Sequence, residues 1–297
     1  MEKKTWQYHL IRCFGWFVQI LPYSWLRPIG NFVGKIAYLV SGRHRERGIS
    51  HVEKSLGYSS DEARNLIKKM YQHVGQSVLE VFYSPRLLKS PALMREIIDY
   101  EAAPDFTEWV NSKKGGIFIT AHYGNWEWLA MRVAAEGVPV GTIVKFQPQP
   151  WVNALLNDSR RDGGVEVYPR TAAGTEILSG IRSIKKGRFL GLLCDQDGGY
   201  DGTILTFLGR PASTMVGPGI IAAKTGVPVF PAFIQRRPDG GHSVRVGSAL
   251  PMSDDPVEVT KEIQKAIEGV IREKPEEWLW LQRRWNTPVP EKGDEDE

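Results

Sequence analysis

Long apolar runs are missing from this chain. The N-terminal stretch Cys13 to Leu26 lies between Arg12 and Arg27 and contains Pro22, and the next, Ile29 to Val40, is broken by Lys35. Both fall short of the roughly 20 residues that a spanning helix needs. No small-residue A-x-A site follows the first run, so a cleaved signal peptide is not expected. Cysteine is scarce as well. Cys13 and Cys194 are far apart and neither sits in metal-ligand spacing, which excludes a disulfide scaffold and points to a reducing compartment. G-x-S-x-G, Walker and G-x-G-x-x-G fingerprints are all absent, which sets aside serine hydrolase, P-loop and dinucleotide-binding readings. There is no internal repeat and no Gly/Ser linker.

What is present is ordinary globular composition, 42% hydrophobic and 24% charged over 297 residues, enough for one large domain, or one domain with a helical appendage. The net charge of +4 is unevenly placed. Residues 1–54 hold nine Lys and Arg against three Asp and Glu, whereas the remaining 29 and 31 leave the rest slightly acidic. This basic segment is interleaved with Trp, Phe, Tyr and Leu, a combination that suits a surface meeting anionic lipid. Two short aromatic-rich helices lying in a membrane interface are expected there.

Apolar positions at Leu66, Ile67, Met70, Val74, Val78 and Val81 predict a helix over 60–87, with Ser60 and Asp61 as capping groups. From Gly115 the texture changes to short apolar runs bounded by Gly and Pro: Ile117–Ala121, Val138–Val144, Val165–Tyr168, Phe189–Cys194, Val227–Phe233 and Ser243–Val246. Continuous rather than alternating hydrophobics mark strands buried on both faces, so the class is α/β, a central mostly parallel sheet flanked by helices. A late helix is expected over 258–273, followed by Trp278, Trp280 and Trp285 beside Arg283 and Arg284. The organisation expected is a basic, aromatic-rich membrane-associating segment (1–54), a catalytic domain (55–290) and an acidic, disordered tail (291–297).

The segment Gly116-Ile-Phe-Ile-Thr-Ala-His122-Tyr-Gly-Asn-Trp-Glu127 puts a histidine at the carboxyl end of a buried strand, where open α/β sheets present their crevices. On one continuous helix, residues five apart would diverge by about 140°. The two side chains meet only if the chain turns, which Gly124 permits, with Asn125 capping a helix that starts at Trp126. His122 then serves as general base on a hydroxyl, and Glu127 fixes its tautomer and stabilises the imidazolium. The same pair also fits a plain structural hydrogen bond. No second histidine lies nearby in zinc spacing, so neither metal nor cofactor is expected.

These residues resemble a known block. Thr120-Ala-His122-Tyr-Gly-Asn-Trp-Glu127 is similar to the H-x4-D/E motif of the glycerolipid (lysophospholipid) acyltransferase superfamily, and in particular to the bacterial lipid A biosynthesis (lauroyl/myristoyl) acyltransferase family. The likeness continues through Arg43-His-Arg-Glu-Arg47, Cys194-Asp195-Gln196-Asp197, Phe207-Leu-Gly209-Arg-Pro-Ala-Ser-Thr214, Thr225-Gly-Val-Pro-Val-Phe-Pro231 and Pro275-Glu-Glu-Trp-Leu-Trp-Leu-Gln-Arg-Arg284. The resemblance implies a glycerol-3-phosphate acyltransferase-like fold at the cytoplasmic face of a bacterial inner membrane. It implies transfer of an acyl group from acyl carrier protein (or acyl-CoA) to a hydroxyl of a Kdo-bearing lipid A precursor, with membrane and anionic lipid as partners and no nucleic acid. It also implies His122 as base, Glu127 as its partner, Asp195 and Gln196 bordering the site, and Arg170 as a basic residue before the next helix. Because Arg binds phosphate and carboxylate with two hydrogen bonds at once, Arg160, Arg161, Arg170 and Arg210 are the substrate-binding candidates.

Other readings stay open on sequence alone. The same chemistry would serve another acceptor, such as a phosphatidylinositol mannoside or a lysophospholipid. Asp195-Gln-Asp197 has the D-x-D form of a metal-dependent glycosyltransferase, and the Trp/Arg stretches fit a non-catalytic membrane-binding module.

Overall fold

The computed structural model describes residues 5–145, 147–170 and 175–289. Its strands are β1 (Ile98–Ala102), β2 (Gly116–Thr120), β3 (Val140–Val144), β4 (Glu166–Pro169), β5 (Phe189–Leu193), β6 (Thr203–Phe207), β7 (Arg210–Thr214), β8 (Val229–Arg236) and β9 (His242–Val246). Its helices are α1 (Trp6–Ile20), α2 (Tyr23–Val40), α3 (Gly42–Leu56), α4 (Ser60–Lys89), α5 (Pro91–Ile97), α6 (Pro104–Asn111), α7 (Trp126–Ala135), α8 (Pro150–Asp162), α9 (Thr175–Lys185), α10 (Gly217–Thr225) and α11 (Pro256–Glu273).

Seven strands form one sheet in the order β1-β9-β8-β2-β5-β3-β4, parallel throughout except for the β8–β9 pair. Every strand expected from the sequence is present within three residues at either end. The reason is visible in β2. Ile117 and Ile119 face a core shared with α10, α11 and the C-terminal tryptophans, while Phe118 faces the aromatic cluster of Phe106, Phe189 and Phe230. A strand packed on both faces carries no polar alternation.

Three strands escaped the pattern. In β1 the charged Asp99 and Glu101 alternate along an edge strand. The β6–β7 hairpin is a separate two-stranded sheet that turns through Leu208 and Gly209, both at positive φ, the geometry that twists tightest hairpins correctly.

The cap of the long α4 lies one residue earlier than expected. Ser59 is the N-cap, its hydroxyl accepting from Glu62 N while Glu62 accepts from Ser59 N at 2.9 Å, a reciprocal capping box. The boundary drawn after residue 54 falls inside α3, and the acidic tail 291–297 lies outside the described residues.

Helices α1 and α2 are built inside out. They bury Tyr8, Gly15, Val18, Leu26, Gly30 and Gly34 against the domain while leaving Trp6, Trp16, Trp25 and Phe32 more than half exposed. Among the described residues no helix is long and apolar enough to cross a membrane. The α2–α4 crossing depends on small residues: a Cβ on Gly75 would overlap the Gly30 carbonyl, and one on Gly34 the Tyr71 carbonyl. Gly75→Leu should therefore overpack the crossing at a cost of ~1–3 kcal/mol or more. Thermal unfolding checks this, with the variant expected to melt about 2–12 °C below the parent.

Candidate active site

The crevice lies at the carboxyl ends of β2 and β5. After β2 the chain turns at Gly124, whose φ of 57° favours glycine and whose N–H donates to the Glu277 carbonyl at 3.0 Å. A side chain there would collide with the Ile234 carbonyl. Asn125 then caps α7, its Oδ1 accepting from Trp128 N at 3.1 Å. The expected turn at Gly124 and helix start at Trp126 are thus what the chain adopts.

The partner of the imidazole differs from expectation. His122 Nδ1 lies 2.8 Å from Asp195 Oδ1, and the His122 backbone N–H donates to Asp195 Oδ2 at 2.9 Å. Strand β5 pairs directly with β2, Thr120 opposite Leu193, so Asp195 leaves the sheet beside His122. Its Oδ2 also accepts from Trp278 Nε1 and Gln282 Nε2, each at 2.8 Å. With no exposed surface and four internal donors, Asp195 holds the imidazole and has no capacity left for substrate. The expectation that Asp195 borders the substrate is corrected accordingly.

Glu127 stands in the first turn of α7, but both its oxygens are taken by Arg160: Nε to Oε2 at 2.9 Å and Nη2 to Oε1 at 2.5 Å. This fork, steadied by Asn157 Oδ1 on Arg160 Nη1, occupies the carboxylate, which makes no hydrogen bond to the ring among the described residues. Glu127 therefore acts on His122 through space, and orientation of the imidazole belongs to Asp195. Burial is the largest influence on His122 and opposes its charge, yet the charge and hydrogen bond of Asp195, with the charge of Glu127, outweigh it and raise the pKa above its ordinary value. Burial likewise works against the Asp195 anion, and His122, Gln282 and Trp278 together hold its pKa below the usual carboxylate range.

The opposite nitrogen of His122 has no protein partner among the described residues, and the side chain, 19% exposed, borders a cavity of ≈ 850 Å³. Apolar walls come from α4, α7 and the sheet, among them Val74, Val81, Phe118, Leu129, Val133 and Val140. The polar part of the lining includes Asn125, Glu127, Arg160 and Gln196, with Lys145, Arg170 and Asp201. Arg161 and Arg210 do not join them. Arg161 lies 3.6 Å from Asp158, turned away from Arg160 by one helical step, and Arg210 stacks on the Trp285 ring at 4.1 Å and reaches Ser55. Asp197 accepts from Thr287 Oγ1 at 2.6 Å and from Gly199 N. The two acids of the D-x-D segment are thus bound to different protein donors rather than presented together.

An imidazole held by a buried acid beside a largely apolar cavity suits acyl transfer, and the family comparison agrees. A model of the family described as bacterial lipid A biosynthesis acyltransferase matches residues 2–287. The chain belongs to that family. It is 25% identical over 285 residues to the lipid A biosynthesis lauroyltransferase of Escherichia coli K12, covering 92% of this chain and 89% of that one. It is 24% identical over 181 residues to the phosphatidylinositol mannoside acyltransferase of Mycolicibacterium smegmatis, 59% and 58% of the two chains. Among solved structures, the 1-acyl-sn-glycerophosphate acyltransferase PlsC of Thermotoga maritima aligns with a TM-score of 0.40 at 15% identity, over 86% of this chain and 96% of that one.

Trp278 and Gln282, whose part no local pattern in the sequence discloses, give a direct test. Trp278→Phe with Gln282→Leu removes two donors from Asp195, so its carboxylate pulls harder on the imidazole proton and raises the His122 pKa further. The acid limb of the acyl-transfer pH profile should move to higher pH and kcat should fall, with KM little changed. Steady-state kinetics across the pH range measures both.

Proposed function

We propose that this acyltransferase moves a fatty acyl group from an acyl carrier protein thioester to a hydroxyl of a Kdo-bearing lipid A precursor. The observation that carries the chemistry is the His122 imidazole, fixed at Nδ1 by Asp195 and open at Nε2 to an apolar cavity. Nε2 takes the acceptor proton as the oxygen attacks the thioester carbonyl. The tetrahedral adduct collapses with cleavage of the C–S bond, and the imidazolium returns its proton to the departing sulfur. With Trp128 N taken by the Asn125 cap, the earlier N–H groups of α7, at Trp126 and Glu127, and the positive end of its dipole serve the oxyanion. Supporting the substrate class are the names of the relatives, the length of apolar wall for an acyl chain, and the cations Lys145 and Arg170 on the lining for an anionic headgroup. The mycobacterial relative keeps a second reading in view, in which the same chemistry serves another glycolipid acceptor.

We place the enzyme on the cytoplasmic face of the inner membrane, held by the outward aromatic face of α1 and α2. Trp16→Glu with Trp25→Glu should leave the fold intact and reduce flotation with anionic vesicles severalfold; unchanged flotation would move the attachment elsewhere in the chain.

His122→Ala should lower turnover ~10²–10⁴-fold at an unchanged melting temperature. Retention of near-parental rates with acyl carrier protein thioester and acceptor would refute the base. The protonated imidazole cannot act as base, so activity is gained as pH rises through the His122 pKa, which is raised above about 6.5. Glu127→Gln removes one of the influences that raise it, so the limb should move to lower pH, the direction opposite to that of the Trp278/Gln282 variant.

A further inference from the structure

The segment that follows Asp195 contains recognition chemistry which acyl transfer itself does not use. Tyr200 is 90% exposed, yet it sits on a short helical turn, Gly199–Asp201, that is tightly braced. Gly198 N donates to the Ser213 carbonyl, Ser213 Oγ donates to the Gly199 carbonyl at 2.6 Å, and Asp197 pairs across a bridge with Thr214 while accepting from Gly199 N and Thr287. Behind it the buried Arg284 donates to the Ser213 carbonyl and to Thr214 Oγ1. The backbone that carries this bare aromatic ring is therefore held still at the surface. Gln196, Gly198 and Asp201 of the same segment line the cavity while the Tyr200 ring stands off the lining, next in sequence to Asp201; Gln196 and Asp201 are exposed and without a protein partner among the described residues. The loop leaves the sheet from β5, one strand from β2 and so about 5 Å sideways from the strand that carries His122.

The charges on the two sides of the cavity differ. Lys145 and Arg170 follow β3 and β4, where an anion is favoured. The Tyr200 side presents an amide, a carboxylate and a ring, with no cation on residues 196–202. A phosphate would be repelled by Asp201, whereas a neutral polyol satisfies it: ring hydroxyls donate to a carboxylate and exchange hydrogen bonds with an amide, while the C–H face of a pyranose lies on an aromatic ring. The geometry points to a sugar-binding subsite made by Gln196, Tyr200 and Asp201, which grips a sugar ring of the acceptor next to the hydroxyl being acylated. This deepens the proposed function and rests on its glycolipid acceptor.

Two measurements test the subsite. With the Kdo-bearing acceptor in detergent micelles, Tyr200→Ala should raise the acceptor KM roughly five- to tenfold, the effect of losing one aromatic contact. The donor KM and kcat should stay unchanged, and Tyr200→Phe should retain parental values. Unchanged acceptor KM in Tyr200→Ala overturns the subsite, and an effect confined to vesicle flotation overturns it in favour of a membrane contact. Saturation-transfer NMR with the deacylated, phosphorylated glucosamine disaccharide needs no turnover, so it stands even if the acceptor assignment fails. Transfer to the disaccharide that is lost in Tyr200→Ala and kept in Tyr200→Phe supports the subsite. Absence of transfer in the parent protein, or its persistence in Tyr200→Ala, refutes it.

Discussion

A carboxylate without exposed surface must be given donors by the chain, because an isolated buried charge costs far more than the domain's net stability. Asp195 is such a group, and its needs organise the site. Two donors come from His122, through its backbone N–H and imidazole, and two from the indole of Trp278 and the amide of Gln282, more than eighty residues later. The C-terminal segment must therefore lie across the end of β2. It is pinned there by Leu279 N on the His122 carbonyl, Gly124 N on the Glu277 carbonyl and a bridge between Tyr123 and Trp278. The hydrogen bonds that make Asp195 tolerable are the same ones that fix the imidazole.

A second buried charge steadies the other side of the turn. Glu80 of α4 accepts from both terminal nitrogens of Arg236, lies 3.2 Å from His242, and takes a hydrogen bond from Asn125 Nδ2 at 2.9 Å. Burial works against its charge, but Arg236 and His242 keep its pKa below the ordinary range. Asn125 is thereby held by one end while its oxygen caps α7, and Trp128 Nε1 bonds to the Glu80 carbonyl and to Ser84 Oγ. The catalytic turn is suspended between two anions, each neutralised by groups distant in sequence. A buried ion pair adds little net stability against an apolar equivalent, so its contribution here is to geometry.

The sequence discloses local features and conceals remote ones. The strand before His122, the turn at Gly124 and the cap at Asn125 are legible because each depends on neighbours a few residues away. The His122–Asp195 contact is not, since 73 residues separate the pair and only the adjacency of β2 and β5 joins them. The same holds for Arg160 on Glu127, which had to be placed by the packing of α8 against α7. Edge strand β1 was hidden by its alternating acids, and the β6–β7 hairpin by lying outside the main sheet. Motif spacing brought attention to Glu127 as the companion of the imidazole, yet spacing carries no information on a competing guanidinium.

That competition explains why two acids serve one base. If Glu127 bonded directly to Nδ1, its position in the first turn of a helix would tie the imidazole to any movement of α7 as substrate enters the cavity. Asp195 is anchored instead to the sheet and to the C-terminal segment, so the hydrogen bond that orients the ring does not come from that wall, whose Trp126 only packs edge-on against it. Glu127, paired with Arg160 at 2.5 Å, retains a weaker influence on the ring than Asp195 does. It also holds the guanidinium on the cavity lining beside the reacting groups. Orientation and electrostatic tuning of the imidazole are thus assigned to different residues, which lets Glu127 shape the cavity without setting the geometry of the His122 ring.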